Sequence, residues 1–166
     1  MHPPAYQPAY VGAGSNLGEP AMQLHRAFAA LDSLPDTRLV ARSALYRNPP
    51  MGPRGQPDFV NAVAALLTRL PPGELLDALQ AVERASGRRR DGTRWGPRTL
   101  DLDLLLYGRM VLDGPALRLP HPGLRERAFV LRPLSELAPW LQLPDGTPVT
   151  ELAVVVGDGG LVRVEG

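Results

Sequence analysis

The chain contains 166 residues, of which 18 are basic and 17 acidic, so its formal net charge is +1. Every basic residue is an arginine, and neither lysine nor cysteine occurs. These absences exclude disulfides, thiol catalysis, cysteine-ligated metals, Schiff-base chemistry and a phosphate-binding loop that ends in lysine. The length predicts one domain, and the balanced charge argues against a general affinity for nucleic acid.

The N-terminal residues include Pro3, Pro4 and Pro8 and have no apolar core, so they do not predict a signal peptide. We expect a disordered or extended lead over residues 1–9 and a single domain over residues 10–166. No apolar run is long enough to cross a bilayer. We therefore expect a cytoplasmic protein without a membrane partner and, by default, a monomer.

The N-terminal part predicts a strand, a helix and a second strand. Residues 10–13 form a short strand that ends in the turn GSNLG at residues 14–18. Pro20 suits the first turn of a helix, because the N–H that proline lacks would have no partner there. Residues 39–46 are the next predicted strand. The helix is supported by an apolar stripe at helical spacing, Leu24, Phe28, Leu31 and Leu34.

A proline-rich stretch, residues 47–58, is too long and too rich in turn formers for a simple connection, so we predict a functional loop. Residues 59–68 form a third strand. The two prolines at residues 71–72 open a second helix, for which Gly87 is a natural stop. A second loop follows at residues 88–98.

The last clear strand covers residues 100–107, and turns are expected near Gly108 and Asp113. A short helical piece is expected around residues 126–131, and the tail beyond Asp145 shows only turn signals. Strands and helices in the order βαββαβ predict an α+β, ferredoxin-like antiparallel sheet with helices packed on one face. The remaining residues are predicted to form C-terminal additions to this sheet.

The sequence DLD at residues 101–103 is the strongest chemical signal. Because strand side chains alternate, Asp101 and Asp103 share one face and lie close enough to share metal ions. Mg²⁺ prefers such oxygen ligands and completes its shell with water and substrate phosphates. The leucine run at residues 104–106 predicts burial on both faces, where an unpaired carboxylate would be costly. A half-buried strand that shows acidic residues to solvent is the alternative.

An arginine cluster directly precedes this strand. It lies within residues 88–98, is opposed only by Asp91, and consists of Arg88, Arg89, Arg90, Arg94 and Arg98. Arginines beside carboxylate-bound divalent ions are typical of sites that bind a polyphosphate and neutralise its charge. Trp95 offers a flat face for stacking. The cluster and the DLD pair favour phosphoryl-type transfer from a nucleotide, with a solvated basic loop as the alternative.

An aromatic ring and an amide share one strand face at Phe59 and Asn61, next to the proline-rich loop. This pairing suits a planar, hydrogen-bonding heterocycle, which stacks on the ring and is recognised along its edge. The alternative is that Phe59 belongs to the core. On pattern alone, His121 and Phe129 are interpreted as structural residues.

Five segments carry a specific combination of motifs. They are GSNLG (14–18), SALYRNPPMG (43–52), QPDFVNA (56–62), RWGPRTLDLDLLL (94–106) and LPHPGLRERAFVLRPLSELAP (119–139). The combination resembles the 6-hydroxymethyl-7,8-dihydropterin pyrophosphokinase family, from about Tyr10 to Asp145. The resemblance implies transfer of the terminal pyrophosphate of ATP to the hydroxymethyl group of the dihydropterin, with release of AMP, in folate biosynthesis.

The resemblance also implies roles for individual residues. Asp101 and Asp103 would hold two Mg²⁺ ions and, with Arg88 and Arg98, form the catalytic set. Asn48 departs from the family pattern, because many relatives have threonine there. ATP would be bound by Gln80, Glu83, Arg88, Arg90, Arg98, His121 and Arg127. The pterin would be bound by Asn48, Pro49, Met51, Phe59, Asn61, Trp95 and Phe129, stacked between the two phenylalanine rings.

Two other protein classes share parts of the pattern. An RNA-binding module would use the same strand–helix order and the arginine loop, but it would leave the two aspartates unexplained. A nucleotide-sugar transferase with a DxD motif would leave the aromatic–amide pair and the segment PHPGLRERAF without a role. ATP-dependent release of AMP distinguishes a pyrophosphokinase from both.

Overall fold

The computed structural model describes residues 4–48, 57–87 and 100–165. With β2 and β3 counted as one interrupted strand, the elements up to β5 have the predicted order βαββαβ. The elements are β1 (Gln7–Ser15), α1 (Pro20–Asp32), β2 (Thr37–Arg42), β3 (Leu45–Asn48), β4 (Phe59–Thr68), α2 (Pro72–Ala85), β5 (Asp101–Tyr107), β6 (Leu112–Asp113), β7 (Arg118–Leu119), α3 (Ala128–Leu137), α4 (Val149–Val156) and β8 (Val162–Glu165).

An antiparallel sheet in the order β5-β1-β4-β3-β8 forms the centre of the fold. β2 and β3 pair with successive stretches of β4, residues 64–68 and 59–61. β6 and β7 form a separate two-stranded ribbon. The arrangement is the predicted α+β, ferredoxin-like one, and it places β5, which carries both aspartates, at an edge of the sheet.

Helices cover both faces of the sheet, whereas the sequence predicted cover on one face. On one face, Leu24 of α1 and Leu79 of α2 pack against strand residues that include Val11. On the other face, Leu134 of α3 and Val149 of α4 form a second core. The predicted helical piece is thus the start of a longer helix, and the C-terminal additions supply a whole layer.

The strand predicted over residues 39–46 is interrupted at Ser43. The Ser43 N–H donates to the carbonyl of Val63 at 2.8 Å. The Val63 N–H donates in turn to the Ser43 hydroxyl at 2.8 Å, so a side chain replaces the backbone acceptor and the ladder breaks. At the other end of the sheet, β1 begins at Gln7, and residues 7–9 of the predicted lead therefore belong to the sheet.

The leucine run at residues 104–106 is buried on both faces, as predicted. The register between β1 and β5 shifts at Leu105, which has no partner on β1. Leu104 consequently faces the α1–α2 layer, and the next two leucines face the α3–α4 layer. This bulge anchors β5 in both cores, directly after the two aspartates.

Helix α2 has the predicted ends. It begins at Pro72, and Gly87 after its C-terminus has a φ of +91°, in the left-handed region that favours glycine. Leu75 and Leu79 are fully buried and fix the helix on the sheet. None of the helices in the described ranges has the length and apolar character that crossing a bilayer requires.

Candidate active site

A cleft of about 570 Å³ opens on the sheet face that α3 covers. Strands β1, β4 and β5 form its floor, and the end of α2, the start of α3 and residues 115–118 form its walls. Pro49, Met51, Arg88, Arg90, Trp95 and Arg98 lie outside the described residues. All the other predicted site residues line this cleft: Asn48, Phe59, Asn61, Gln80, Glu83, Asp101, Asp103, His121, Arg127 and Phe129.

A row of residues across three strands connects the two ends of the cleft. Asp101 on β5, Gly14 on β1 and Asn61 on β4 are direct cross-strand neighbours. Adjacent strands lie about 4.8 Å apart, so the carboxylate and amide positions are separated by roughly 10 Å. Gly12 lies in the same way opposite Asp103. The two glycines therefore leave bare backbone, and a groove, between the carboxylates and the amide.

Sequence reasoning did not assign Gly12 and Gly14 to the site. The signal was present, because glycine inside a strand marks a place where a ligand or another backbone approaches closely. A Cβ atom at Gly14 would lie 2.6 Å from Oδ1 of Asn61, so the groove excludes any larger residue there. The wall at residues 115–118 was also missed, and no motif indicated it.

Asp101 and Asp103 are both half-buried, and the Asp103 side chain is 36% exposed. Within the described ranges, no three His, Asp or Glu side chains are grouped closely enough to hold a metal ion by themselves. Two carboxylates that are open to a cleft suit Mg²⁺, which keeps several water molecules and takes further ligands from phosphates. The donor set therefore fits this ion.

Helix α2 contributes two polar side chains to the cleft. Glu83 is 2% exposed, and its Oε2 accepts a hydrogen bond from the Leu102 N–H at 2.7 Å. Leu102 lies between the two aspartates, so Glu83 is bonded to the strand segment that carries them. Gln80 is half-buried and lines the cleft about one turn earlier in the helix.

His121 faces the cleft as a neutral hydrogen-bond donor. Its Nδ1 accepts from the Gly123 N–H at 3.0 Å, so the proton of the neutral ring is on Nε2. Nε2 lies 3.7 Å from Oδ1 of Asp103. Burial, and next the positive charge of Arg127, lower the pKa of His121 from 6.5 to about 4, against the opposing effect of Asp101. The ring is therefore uncharged near pH 7.

The opposite end of the groove combines amides with aromatic rings. Asn48 and Asn61 are each 7% exposed, and Nδ2 of Asn61 donates a hydrogen bond to Oδ1 of Asn48. Phe59 and Phe129 are half-buried and line the cleft, so Phe59 is not simply a core residue. The Arg127 guanidinium lies over the Phe129 ring, 5.7 Å from its centroid. This end has the flat apolar surfaces on which a planar heterocycle can stack and the amide groups that can hydrogen-bond to its edge.

The turn GSNLG has a structural role through Asn16. This residue is 1% exposed, and its Nδ2 donates to the carbonyl of Pro57 at 3.1 Å. The hydrogen bond fixes the chain just before Phe59, at the start of β4. The turn thus helps to place a residue of the cleft, and its first residue, Gly14, lines the cleft itself.

The fold and the cleft define an α+β enzyme whose site joins paired carboxylates to an aromatic–amide pocket. A family model described as 7,8-dihydro-6-hydroxymethylpterin-pyrophosphokinase (HPPK) matches residues 10–139. The chain belongs to this family, as its motifs predicted. Family membership excludes the RNA-binding and nucleotide-sugar alternatives.

Curated relatives and solved structures agree with this assignment. The chain is 55% identical over 160 residues to a 2-amino-4-hydroxy-6-hydroxymethyldihydropteridine pyrophosphokinase of Pseudomonas aeruginosa, covering 96% of this chain and 98% of that one. A protein of the same name from Haemophilus influenzae is 46% identical, with coverages of 94% and 97%. The wild-type HPPK-DHPS protein of Plasmodium falciparum with pteroate has a TM-score of 0.72 at 12% identity, over 93% of this chain and 43% of that longer one. The last comparison shows a shared fold.

Proposed function

We propose that the cleft carries out the reaction of this family with Mg²⁺ and with the residues described above. In that reaction the terminal pyrophosphate of ATP is transferred to the hydroxymethyl group of 6-hydroxymethyl-7,8-dihydropterin, and AMP is released, in folate biosynthesis. The observation that carries the proposal is the row Asp101, Gly14 and Asn61. This row brings a carboxylate and an amide to one face of the sheet, which supports a metal site and a heterocycle site at the two ends of one groove.

The dihydropterin binds at the amide end of the groove. Asn61, fixed by its hydrogen bond to Asn48, recognises the polar edge of the heterocycle, and Phe59 and Phe129 stack on its faces. Asn48 keeps Asn61 in one orientation, which is a role that its amide oxygen can fill in place of threonine. The contributions of Pro49, Met51 and Trp95 to the same pocket remain predictions from the resemblance.

The nucleotide binds at the carboxylate end. His121 presents a neutral Nε2–H donor to a phosphate or ribose oxygen, and Arg127 adds a permanent positive charge. Gln80 of α2 lines the same cleft. The resemblance adds the cations Arg88, Arg90 and Arg98, whose contacts with the phosphates remain predictions.

Asp101 and Asp103 hold the divalent ions in this proposal. Bound Mg²⁺ neutralises the phosphates and lowers the pKa of the attacking hydroxyl group. The half-buried position of both carboxylates keeps them close to the cleft and still open to water and phosphate oxygens. The predicted number of two ions follows from the resemblance.

The transfer needs positioning and charge neutralisation more than covalent chemistry. The acceptor hydroxyl oxygen attacks the β-phosphorus in line, while the bond from that phosphorus to the oxygen of the leaving AMP breaks. The hydroxyl proton passes to solvent. His121 is not the general base, because its Nδ1 is occupied by the Gly123 N–H and its Nε2 already carries a proton.

Product analysis tests this function. The protein is incubated with ATP, Mg²⁺ and the hydroxymethyl-dihydropterin, and nucleotides are separated by ion-exchange chromatography. We expect AMP and the pterin diphosphate only when all three are present, and none when EDTA is added. ADP as product, or AMP without the pterin, would refute the proposal. The cytoplasmic location and the monomeric state remain predictions.

A further inference from the structure

We propose that Glu83 is a positioning residue that holds the edge strand β5 in place between the two metal-binding carboxylates. This inference rests on the function proposed above. β5 stands at the end of the strand order, so among the described residues no other strand of the sheet pairs with its outer edge. The Leu102 N–H points to that edge and donates to Oε2 of Glu83 at 2.7 Å. Leu102 is the residue between Asp101 and Asp103.

The helix that carries Glu83 is rigidly attached to the sheet. Leu75 and Leu79 of α2 are fully buried, and Glu83 lies one turn after Leu79 on the same helix. The Ser86 hydroxyl donates to the Glu83 carbonyl at 2.7 Å and closes the last turn. The Glu83 carboxylate therefore reaches the strand from a rigid helix, and the short hydrogen bond that it accepts from the Leu102 N–H restrains β5.

A second restraint acts on the same edge. The His121 N–H donates to the carbonyl of Leu105 at 2.9 Å. The outer edge of β5 is therefore held on both sides of Asp103, by a side chain at Leu102 and by backbone at Leu105. In the part of the chain that the structure describes, these two hydrogen bonds take the place of a neighbouring strand at this edge.

The restraint matters because Mg²⁺ demands near-ideal octahedral geometry with ligands at about 2.0–2.1 Å. Groups that orient metal ligands commonly change metal affinity or activity by about 10- to 100-fold when they are removed. The resemblance gave Glu83 only a nucleotide contact. Its 2% exposure and its bond to Leu102 give it a role in aligning the two aspartates.

Two conservative substitutions distinguish the effect of the Glu83 side-chain length from the effect of its negative charge. Glu83→Gln keeps the side-chain length and an oxygen acceptor for the Leu102 N–H but removes the charge. Glu83→Asp keeps the charge but is one methylene shorter and withdraws the acceptor. Glu74→Gln, at an exposed position in the first turn of the same helix, is the matched control.

Mn²⁺ affinity in the presence of α,β-methylene-ATP, whose scissile bridge cannot be broken, is measured from the EPR signal of free Mn²⁺. We expect Glu83→Gln and the control to stay within about 3-fold of the native protein, and Glu83→Asp to bind Mn²⁺ about 10- to 100-fold more weakly. Affinity for the same nucleotide in EDTA is expected to be unchanged in every variant. Equal loss in both Glu83 variants, or a parallel loss of metal-free nucleotide affinity, would overturn the proposal.

Amide hydrogen exchange provides a readout that does not depend on activity. The Leu102 amide should be protected in the native protein despite its edge position, and it should exchange at least about 10-fold faster in Glu83→Asp than in Glu83→Gln. Rapid exchange of the Leu102 amide in the native protein would refute the proposed hydrogen-bond restraint by Glu83. If the native protein formed no AMP, the proposed function would fail, while the Mn²⁺ and exchange results would still decide the role of Glu83.

Discussion

Gly14 is the residue on which the shape of the groove depends most directly. A Cβ atom there would lie 2.6 Å from Oδ1 of Asn61, closer than Cβ atoms approach other atoms in real proteins. We expect Gly14→Ala to displace the Asn61 amide and to weaken dihydropterin binding by at least about 10-fold, or about 1.4 kcal/mol. Isothermal titration calorimetry with α,β-methylene-ATP present measures this affinity.

Gly12→Ala is the matched control for that substitution. A Cβ atom at Gly12 would lie 3.5 Å from the nearest side-chain carbon of Leu105, which is ordinary van der Waals contact. Its effect on dihydropterin affinity should be less than about 3-fold. If the two alanine variants bound the dihydropterin equally well, the groove would not depend on the bare backbone at Gly14.

His121 makes the stability of the metal-free protein depend on pH. Its pKa of about 4 in the folded protein is lower than its ordinary value of 6.5, so the unfolded chain binds a proton more readily. Its contribution to stability is therefore complete above pH 6.5 and is lost as the pH falls toward 4. Between pH 7 and 4.5 we expect native protein to lose about 2 kcal/mol more unfolding free energy than His121→Gln.

Urea unfolding in EDTA across this pH range measures the difference. The titratable groups that lie away from His121 are common to both proteins, so their effects cancel in the comparison. Parallel stability curves for the native protein and His121→Gln would show that the ring is not held neutral by its surroundings.

Among the single helices and strands, those whose sequence signal lies within a few neighbouring residues were predicted best. The strand over residues 59–68 has the predicted bounds, and β5 differs from its prediction by one residue. Alternation and proline positions are read within a few residues, so they suffice for these elements. The break at Ser43 was not predictable, because it depends on Val63, which pairs with it only after the chain has folded.

The Ser43 hydroxyl is therefore expected to contribute measurably to stability. Ser43 is 5% exposed, and Ser43→Ala leaves the Val63 N–H without its acceptor inside the fold. We expect a loss of about 1–3 kcal/mol in the free energy of unfolding, measured by urea denaturation. Ser33→Ala removes a hydroxyl that bonds to the Ala29 carbonyl at an exposed position, and it should cost less than about 0.5 kcal/mol. Equal losses would contradict a specific role of Ser43.

For the molecule as a whole, the sequence predicted the ferredoxin-like sheet but missed its second covering layer. The strand β8 has only four residues, all of them exposed, and its partner β3 is far away in the sequence. A hydrogen bond between Nε2 of His25 and Oε1 of Glu165, at 2.6 Å, attaches this strand to α1. Such pairings join residues that are far apart in the sequence and form only when the sheet has folded, so local sequence patterns do not predict them.

The same distinction applies to the cleft. Motifs identified the residue types that line the cleft, because carboxylates, amides and aromatic rings each indicate the kind of ligand that they can bind. The row from Asp101 across Gly14 to Asn61 depends instead on the register of three strands that are distant along the chain. The Glu83 bond to Leu102 depends likewise on how α2 docks against the sheet edge.

The central claim is that this groove transfers the β- and γ-phosphates of ATP together to the pterin and releases AMP. A single turnover with ATP labelled at the β-phosphorus tests it most directly, with Asp103→Asn as a folded control. The label is expected in the pterin diphosphate for the native protein, and transfer should fall by about 100- to 1,000-fold in Asp103→Asn. Label recovered in ADP, or transfer undiminished in Asp103→Asn, would contradict this account of the site.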